Sequence, residues 1–424
     1  MVSELNKRHS RWYEQLVFSL IFQLIAGWLV VAYLPAVVLW DALYWSDLSI
    51  TERNSLIGVS IVIVFSIVTL RKIFRYPGTI TAAYILPTLI GLYALLFFIL
   101  VIGRIDYARS LLLTSGSILV ILCFFGQRLA NKHARQKLAV VPMGRTSQLH
   151  DFKNASFHQL TQPALGNTRY NGVIADLHAN LPAEWQLFLA QCTLARIPVY
   201  HYKQIMESLT GKVKLDHLSE NQFGMLTPNP YYEGLKRFID LVAVFITAPI
   251  IIPITLLTAI AIRIESTGSA LFTQERVGQG GRTFRIYKLR SMVKDSEKDG
   301  AQFAQEGDMR VTRIGAVIRK LRIDELPQFW NILKGDMSLI GPRPEQEAFV
   351  LEFEKSIPFY SYRHVVKPGI TGWAQVRHGY AANADDTQEK IEHDFYYIKN
   401  YSLWLDIQIV IDTIRTVLTG FGAR

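Results

Sequence analysis

Two adjacent carboxylates, Asp324 and Glu325, follow five cations in thirteen residues, Arg310, Arg313, Arg319, Lys320 and Arg322, with no carboxylate among them. Leu326, Pro327, Phe329, Trp330, Ile332 and Leu333 come next in helix-compatible order, and Pro327 near a helix start puts the acidic pair at or before the first turn. Free backbone N–H groups and the positive dipole end favour a phosphate and an ionised carboxylate there. The combination suits phosphoryl transfer, with one carboxylate attacking phosphorus and the other holding a divalent metal that neutralises a diphosphate. By spacing alone the pair is equally an N-cap with a salt bridge, and a cationic run is commonly a solvated helix face. Gly335, Gly341, Pro342, Arg343 and Pro344 give a rigid turn that presents one Arg, suited to a forked grip on phosphate oxygens or else a plain loop.

The elements that must position these residues sit in an unusually apolar chain. Of 424 residues, 50% are hydrophobic and 19% charged, which argues against an all-soluble protein and against long disorder. The net charge of +10 favours a lipid headgroup or a phosphorylated ligand over nucleic acid in so apolar a chain. Two cysteines, Cys123 and Cys192, make neither a disulfide framework nor a metal motif, consistent with a reducing cytosol.

Four nearly uncharged runs, Leu16 to Trp40, Leu56 to Leu70, Thr79 to Ile102 and Leu111 to Phe125, predict membrane helices. The second and fourth are short and must borrow flanking residues such as Ile50 or Gly126. The first run is too long for a signal-peptide core and has no small-residue cleavage site. Cations cluster before the first run (Lys7, Arg8, Arg11), in the second connection (Arg71, Lys72, Arg75) and after the fourth run (Arg128, Lys132, Arg135, Lys137). The other connections hold Arg53, and Arg104 with Arg109. The charge rule therefore puts both ends of a four-span bundle in the cytoplasm. No span carries a charge at its centre, which disfavours a transporter.

Short β-rich runs at Leu138 to Val141, Val173 to Ala175 and Ile197 to Tyr200 predict a small α/β module, structural or regulatory, since a lone Gly144 stands where a dinucleotide fingerprint would need three glycines. A fifth apolar run, Leu241 to Ile262, is long enough to cross. Its flanks are basic on both sides, Lys236 and Arg237 before and Arg263, Arg276, Arg282 and Arg285 after, and Pro249 and Pro253 sit in its middle. A re-entrant helix that bends near the prolines and returns satisfies both facts, with Asp240 anchoring it by ion pairing at the interface; the alternative is an ordinary kinked span. Gly278, Gly280 and Gly281 read as a hairpin turn rather than a Walker loop. Glu392, His393 and Asp394 could ligand a metal, although a solvated face or structural pairing of Asp394 is the plainer reading. Tyr396 through Leu418 is too charged for a span, and either lies on the membrane or packs on the domain.

Five segments resemble the bacterial sugar transferase family, the polyprenyl-phosphate hexose-1-phosphate transferases or monotopic phosphoglycosyl transferases. They are Phe272-Thr273-Gln274-Glu275-Arg276-Val277-Gly278, Tyr287-Lys288-Leu289-Arg290-Ser291-Met292, Asp324-Glu325-Leu326-Pro327-Gln328, the stretch from Lys334 through Gly341-Pro342-Arg343-Pro344, and Lys367-Pro368-Gly369-Ile370-Thr371-Gly372-Trp373-Ala374-Gln375-Val376. The likeness runs from Tyr231 to the C-terminus in order, and more loosely over the whole chain, as in the family's long members. It implies that Asp324 attacks the β-phosphorus of a UDP-sugar, that UMP leaves, and that the phosphosugar passes to undecaprenyl phosphate. Glu325 then matches the metal-binding partner, with Mg2+ as the ion, and Arg343 the phosphate-binding Arg. Lys288, Arg290, Arg319 and Arg322 are further candidates for the diphosphate charge, with Gln274 and Arg276 in a matching block.

The fold class expected is a membrane protein with four N-terminal transmembrane helices (residues 1–128), a cytoplasmic degenerate Rossmann-like α/β module (129–228), and a re-entrant helix plus a mainly helical α+β catalytic domain (229–424). The expected setting is the bacterial inner membrane, with the catalytic domain on the cytoplasmic face, in exopolysaccharide, capsule or O-antigen assembly, and the long members suggest a homodimer. The long architecture also suggests glucose or galactose, with N-acetylated sugars open. The competing class is a membrane-anchored binding or regulatory protein; it is disfavoured because Asp324, Glu325 and Arg343 are all present.

Overall fold

The computed structural model describes residues 7–9, 11–41, 45–77, 81–134, 136–149, 152, 155–215, 227–293, 310–378 and 384–419. Arg135 of the charge count and the 216–226 stretch lie outside the described residues. The chain divides into two compact units, Met1–Thr210 and Gly211–Arg424.

In the first unit the four apolar runs become helices long enough to cross a membrane: Leu20–Trp40, Ile50–Ile73, Ala82–Ile102 and Arg109–Leu129. The second reaches 24 residues because Ser49 and Glu52 form a capping box, each side chain meeting the other's backbone N–H, so the helix starts at Ile50 rather than Leu56. The first helix takes one wider π-turn at Leu29–Tyr33. Small and hydroxylated residues hold the bundle. Trp28 donates to Ser60 Oγ at 2.8 Å, the Tyr93 and Ser115 hydroxyls lie 3.0 Å apart, and a Cβ on Gly58 would press on Leu96 at 2.8 Å.

After the four long helices this unit holds a parallel sheet of β1 (Gln136–Val140), β2 (Ala155–Gln159), β3 (Gly172–Ala175) and β4 (Val199–His201), in the order β2-β1-β3-β4. β2 has no counterpart in the sequence reading, because its half-polar run Ala-Ser-Phe-His-Gln lacks β-branched residues. The chain reverses strand order between β1 and β3, where dinucleotide folds bind phosphate. Here Asp176 fills that position: its carboxylate accepts the Arg145 N–H at 3.0 Å and the His178 N–H at 3.1 Å.

The second unit is mainly helical α+β. Pro230–Glu265 is one 36-residue helix, uninterrupted at Pro249 and Pro253. Its first turns pack through Val244 beside Ile286, Ile332 and Met337, and its last turns through Ile262 beside Ala270, Leu289 and Ile318. The side chains between, such as Phe245, Ile250 and Leu257, are exposed. Lys236 pairs with Asp406, and Arg237 donates to the carbonyls of Ile332 and Leu333. Asp240 is buried and accepts the Leu339 N–H at 3.3 Å. Among the described residues Asp240 makes no direct ion pair with Lys236 or Arg237, although Lys236 is near enough for its charge to act on the carboxylate.

β5 (Leu271–Val277) and β6 (Thr283–Leu289) form an antiparallel hairpin through a turn at Gln279–Gly281, with Gly280 and Gly281 at φ 68° and 74°. β7 (Ser338–Ile340) pairs in parallel with β8 (Gly369–Thr371). The C-terminal stretch is two helices, Ala384–Lys399 and Leu403–Thr419. Asp406, Gln408 and Asp412 of the last helix are buried, which settles its inner face against the domain.

Candidate active site

The acidic pair lies on a tight 3-10 turn, Ile323–Glu325, between the helices Arg313–Lys320 and Gln328–Lys334. Thr312 caps the first helix by accepting the Gly315 N–H at 2.9 Å, and Arg322, at φ 57°, turns the chain left-handedly into the acidic residues. Asn331, fully buried, fastens the second helix to β6: its amide donates to the Arg285 carbonyl at 2.6 Å and accepts the Tyr287 N–H at 3.2 Å. That bond sets Lys288, the next residue of β6, over the acidic turn.

Glu325 is 5% exposed. Its Oε1 meets Arg343 Nη2 at 3.0 Å, Arg322 Nη1 at 3.6 Å and Lys288 Nζ at 4.0 Å. Burial alone would raise its pKa, but Arg343, Lys288 and Arg322 outweigh burial and hold it well below the usual carboxylate range. Asp324 is half-buried and accepts no hydrogen bond among the described residues. Burial, then the charge of Glu325, pushes its pKa up against the pull of Lys288, Arg343 and Arg322. Lys288 is drawn down to about 8, by burial first and then by Arg343 beside it. Environment thus splits two adjacent carboxylates: one is an anion knitted to three cations, the other a half-buried carboxylate with no direct hydrogen bond or ion pair among the described residues.

Asp324, Glu325, Arg343, Lys288 and Arg322 are therefore gathered at one site. Arg276 belongs to its rim: its charge is felt by Lys288, and it bonds Gln274 Oε1 at 2.6 Å and the Pro344 carbonyl at 3.4 Å. Gln274 and Lys288 share one face of the hairpin, since Gln274 pairs with Ile286 and Phe272 with Lys288. Arg290 is used elsewhere. Its guanidinium donates to the Ser266 and Thr267 carbonyls at 3.0 and 2.9 Å, pinning the end of the long helix. Arg319 stands on the last turn of its helix, half-exposed and with no ion pair to the acidic residues.

Comparison with known proteins places this site in context. The model of the family described as bacterial sugar transferase matches residues 231–420. Over 420 residues, 99% of each chain, the sequence is 52% identical to the UDP-N-acetylgalactosamine-undecaprenyl-phosphate N-acetylgalactosaminephosphotransferase of Aeromonas hydrophila. The chain belongs to the bacterial sugar transferase family. Other relatives of this sugar transferase match its C-terminal part. The UDP-glucose:undecaprenyl-phosphate glucose-1-phosphate transferase of Caulobacter vibrioides is 46% identical over 191 residues, 44% of this chain and 71% of that one. A putative undecaprenyl-phosphate N-acetylgalactosaminyl 1-phosphate transferase of Bacillus subtilis is 52% identical over 132 residues, 31% of this chain and 74% of that one.

Sequence reasoning passed over several residues that build the transferase site. Asn331 fixes the helix behind Asp324. Glu345 is held between Lys390 at 2.7 Å and Arg276 at 3.7 Å. Burial opposes its ionisation, yet Lys390 and Arg363 bring its pKa to about 2. Glu345 follows Pro344 directly, so its place in the motif was the available signal. Asp394 is buried against Arg363 at 2.8 Å, which favours the pairing reading over metal ligation.

Proposed function

We infer that this transferase moves a hexose-1-phosphate from a UDP-sugar to undecaprenyl phosphate, releases UMP and so starts a glycan on its lipid carrier. The observation that carries the chemistry is the split pair: an Asp324 with no direct hydrogen bond or ion pair among the described residues, beside a Glu325 bound by Arg343, Arg322 and Lys288. In the first step an Asp324 carboxylate oxygen forms a bond to the β-phosphorus while the bond from that phosphorus to the bridging oxygen breaks, and UMP carries the oxygen away. In the second, a phosphate oxygen of undecaprenyl phosphate attacks the same phosphorus and Asp324 is released as carboxylate. Both steps pile negative charge on phosphoryl oxygens, which Arg343, Lys288 and Arg322 are placed to offset.

The donor set suits Mg2+, which is usually bound by one or two carboxylates together with substrate phosphates and waters. Glu325 would supply such a carboxylate beside the nucleophile Asp324, and no group of three His, Cys, Asp or Glu side chains gathers among the described residues. Bound there, Mg2+ would neutralise the diphosphate.

N-acetylgalactosamine is the sugar we favour, because the Aeromonas relative matches this chain over its whole length. The membrane arrangement we favour is four spans followed by a re-entrant helix in the bacterial inner membrane, with the catalytic domain cytoplasmic. Both ends of Pro230–Glu265 pack on one folded body, and their cores meet β6 at Ile286 and Leu289, about 10 Å apart at strand spacing. A straight helix would cover about 27 Å between Val244 and Ile262, and Pro249 and Pro253 between them supply the bend that a re-entrant path needs.

The decisive assay offers membranes carrying the protein a panel of UDP-sugars with undecaprenyl phosphate and follows UMP. Release with UDP-N-acetylgalactosamine, lost in Asp324→Asn, is expected. Turnover by Asp324→Asn would remove Asp324 as nucleophile, and release only with UDP-glucose would reverse the choice of sugar.

A further inference from the structure

Arg343 is asked to grip a diphosphate, yet the chain from Gly341 to Gln346 that carries it has no regular secondary structure. Its backbone has to be fixed from outside, and its carbonyls are taken up one after another. Arg363 Nη2 donates to the Arg343 carbonyl at 2.9 Å, Arg276 Nη1 to the Pro344 carbonyl at 3.4 Å, and the Val277 N–H to the Glu345 carbonyl at 2.9 Å.

Arg363 is the most tightly bound of these donors. Its side chain is 2% exposed, its Nη2 also meets Asp394 Oδ2 at 2.8 Å, and its Nη1 donates to the Tyr360 hydroxyl at 2.7 Å. A buried guanidinium is costly unless its fork is matched, and the two terminal nitrogens of this one are matched by a carboxylate, a hydroxyl and the backbone of a functional loop, while its Nε has no hydrogen-bond partner among the described residues. Lysine, a point charge on a flexible stem, cannot span the three acceptors at once. Tyr360 and Arg363 come from the turn Tyr360–Val365 and Asp394 from the helix Ala384–Lys399, both outside the five motif segments.

We propose that Arg363, clamped by Asp394 and Tyr360, is a positioning residue for transfer: it fixes the backbone of Arg343 so that the Arg343 guanidinium reaches Glu325 and the substrate diphosphate. The proposal rests on the reading of Arg343 as a phosphate-binding residue. Its signature is dependence on Arg343, because a clamp has nothing to contribute once the group it aims is gone.

The test is a double-mutant cycle in the full-length protein in membranes, with kcat/KM for the UDP-sugar as readout and Arg343→Lys as the second background. Misplacing a catalytic cation by an ångström can cost up to about a hundredfold, and Arg363→Lys is expected to lower kcat/KM at least tenfold in the parent but less than about twofold in Arg343→Lys. A residue that merely supports the fold would cost the same factor in both backgrounds, and that additivity, or full activity in Arg363→Lys, would overturn the clamp. Should Arg363→Lys fail to fold, Tyr360→Phe removes one acceptor and no charge; it is expected to lose about threefold in the parent and nothing in Arg343→Lys. Wild-type activity in Arg343→Lys alone would bring down the Arg343 assignment and the clamp together, whereas additive losses bring down only the clamp.

Discussion

Gly341 and Gly369 lie backbone against backbone: a Cβ on Gly369 would come within 2.1 Å of the Gly341 amide nitrogen, and one on Gly341 within 2.3 Å of the Lys367 carbonyl oxygen. Two segments that read as separate motifs are therefore one structural unit, with β7 and β8 joined so closely that only glycine fits at the crossing. Gly369→Ala is expected to push the strands apart, cost about 1–3 kcal/mol as overpacking does, and displace the Arg343 loop. Thermal unfolding and UMP release should both fall, while Gly234→Ala, which faces open space on a helix, should be neutral or slightly stabilising.

The opposite pKa shifts at the site give a bell-shaped pH profile. Asp324 must be ionised to attack, so activity falls as pH drops through its raised pKa, at a higher pH than an ordinary aspartate would give. Lys288 must be protonated to offset phosphate charge, so activity falls again as pH rises through about 8. Lys288→Arg should carry the alkaline limb upward and leave the acid limb in place, as read from kcat/KM against pH.

Glu325→Gln offers a sharper check on the pair. The charge of Glu325 helps raise the Asp324 pKa, so removing it should move the acid limb to lower pH while turnover drops steeply because three cations lose their partner. An acid limb that stays put or moves upward would contradict the electrostatic account.

Arg290→Ala distinguishes support from chemistry. Because its guanidinium holds the Ser266 and Thr267 carbonyls, the change is expected to cost about 1 kcal/mol of stability and leave the KM for the UDP-sugar unchanged. A large rise in KM would return Arg290 to the phosphate site.

Topology can be read with single cysteines. Tyr231→Cys and Ile264→Cys, at the exposed ends of the long helix, should both react with a membrane-impermeant maleimide from the cytoplasmic side in a background without Cys123 and Cys192. Labelling of the two from opposite sides would show a crossing helix.

Much of the site was legible because its motifs are local. The order Asp-Glu-Leu-Pro puts a turn and a helix start at the acidic pair wherever the chain lies, and Gly-Pro-Arg-Pro makes a rigid turn by itself. The spans were legible for a related reason, since apolar length is a property of the segment, and the second one does borrow its start from Ile50, where a capping box at Ser49 and Glu52 extends it into polar residues. The partners of Arg290 and Asp240 were not legible, because they come from elsewhere in the fold, Ser266 and Thr267 for one and Leu339 for the other.

The amino-acid order alone determined the long apolar helices, the acidic pair and the rigid turn that presents Arg343, because each depends on composition or backbone chemistry within a few residues. Which cations serve the pair was decided only by tertiary structure. Lys288, Arg322 and Arg343 converge on Glu325 from a strand, a helix end and a loop, and the Arg363–Asp394 pair that holds the loop is assembled from two further elements. Ion pairs and desolvation depend on distances across the fold, and no local pattern carries those distances.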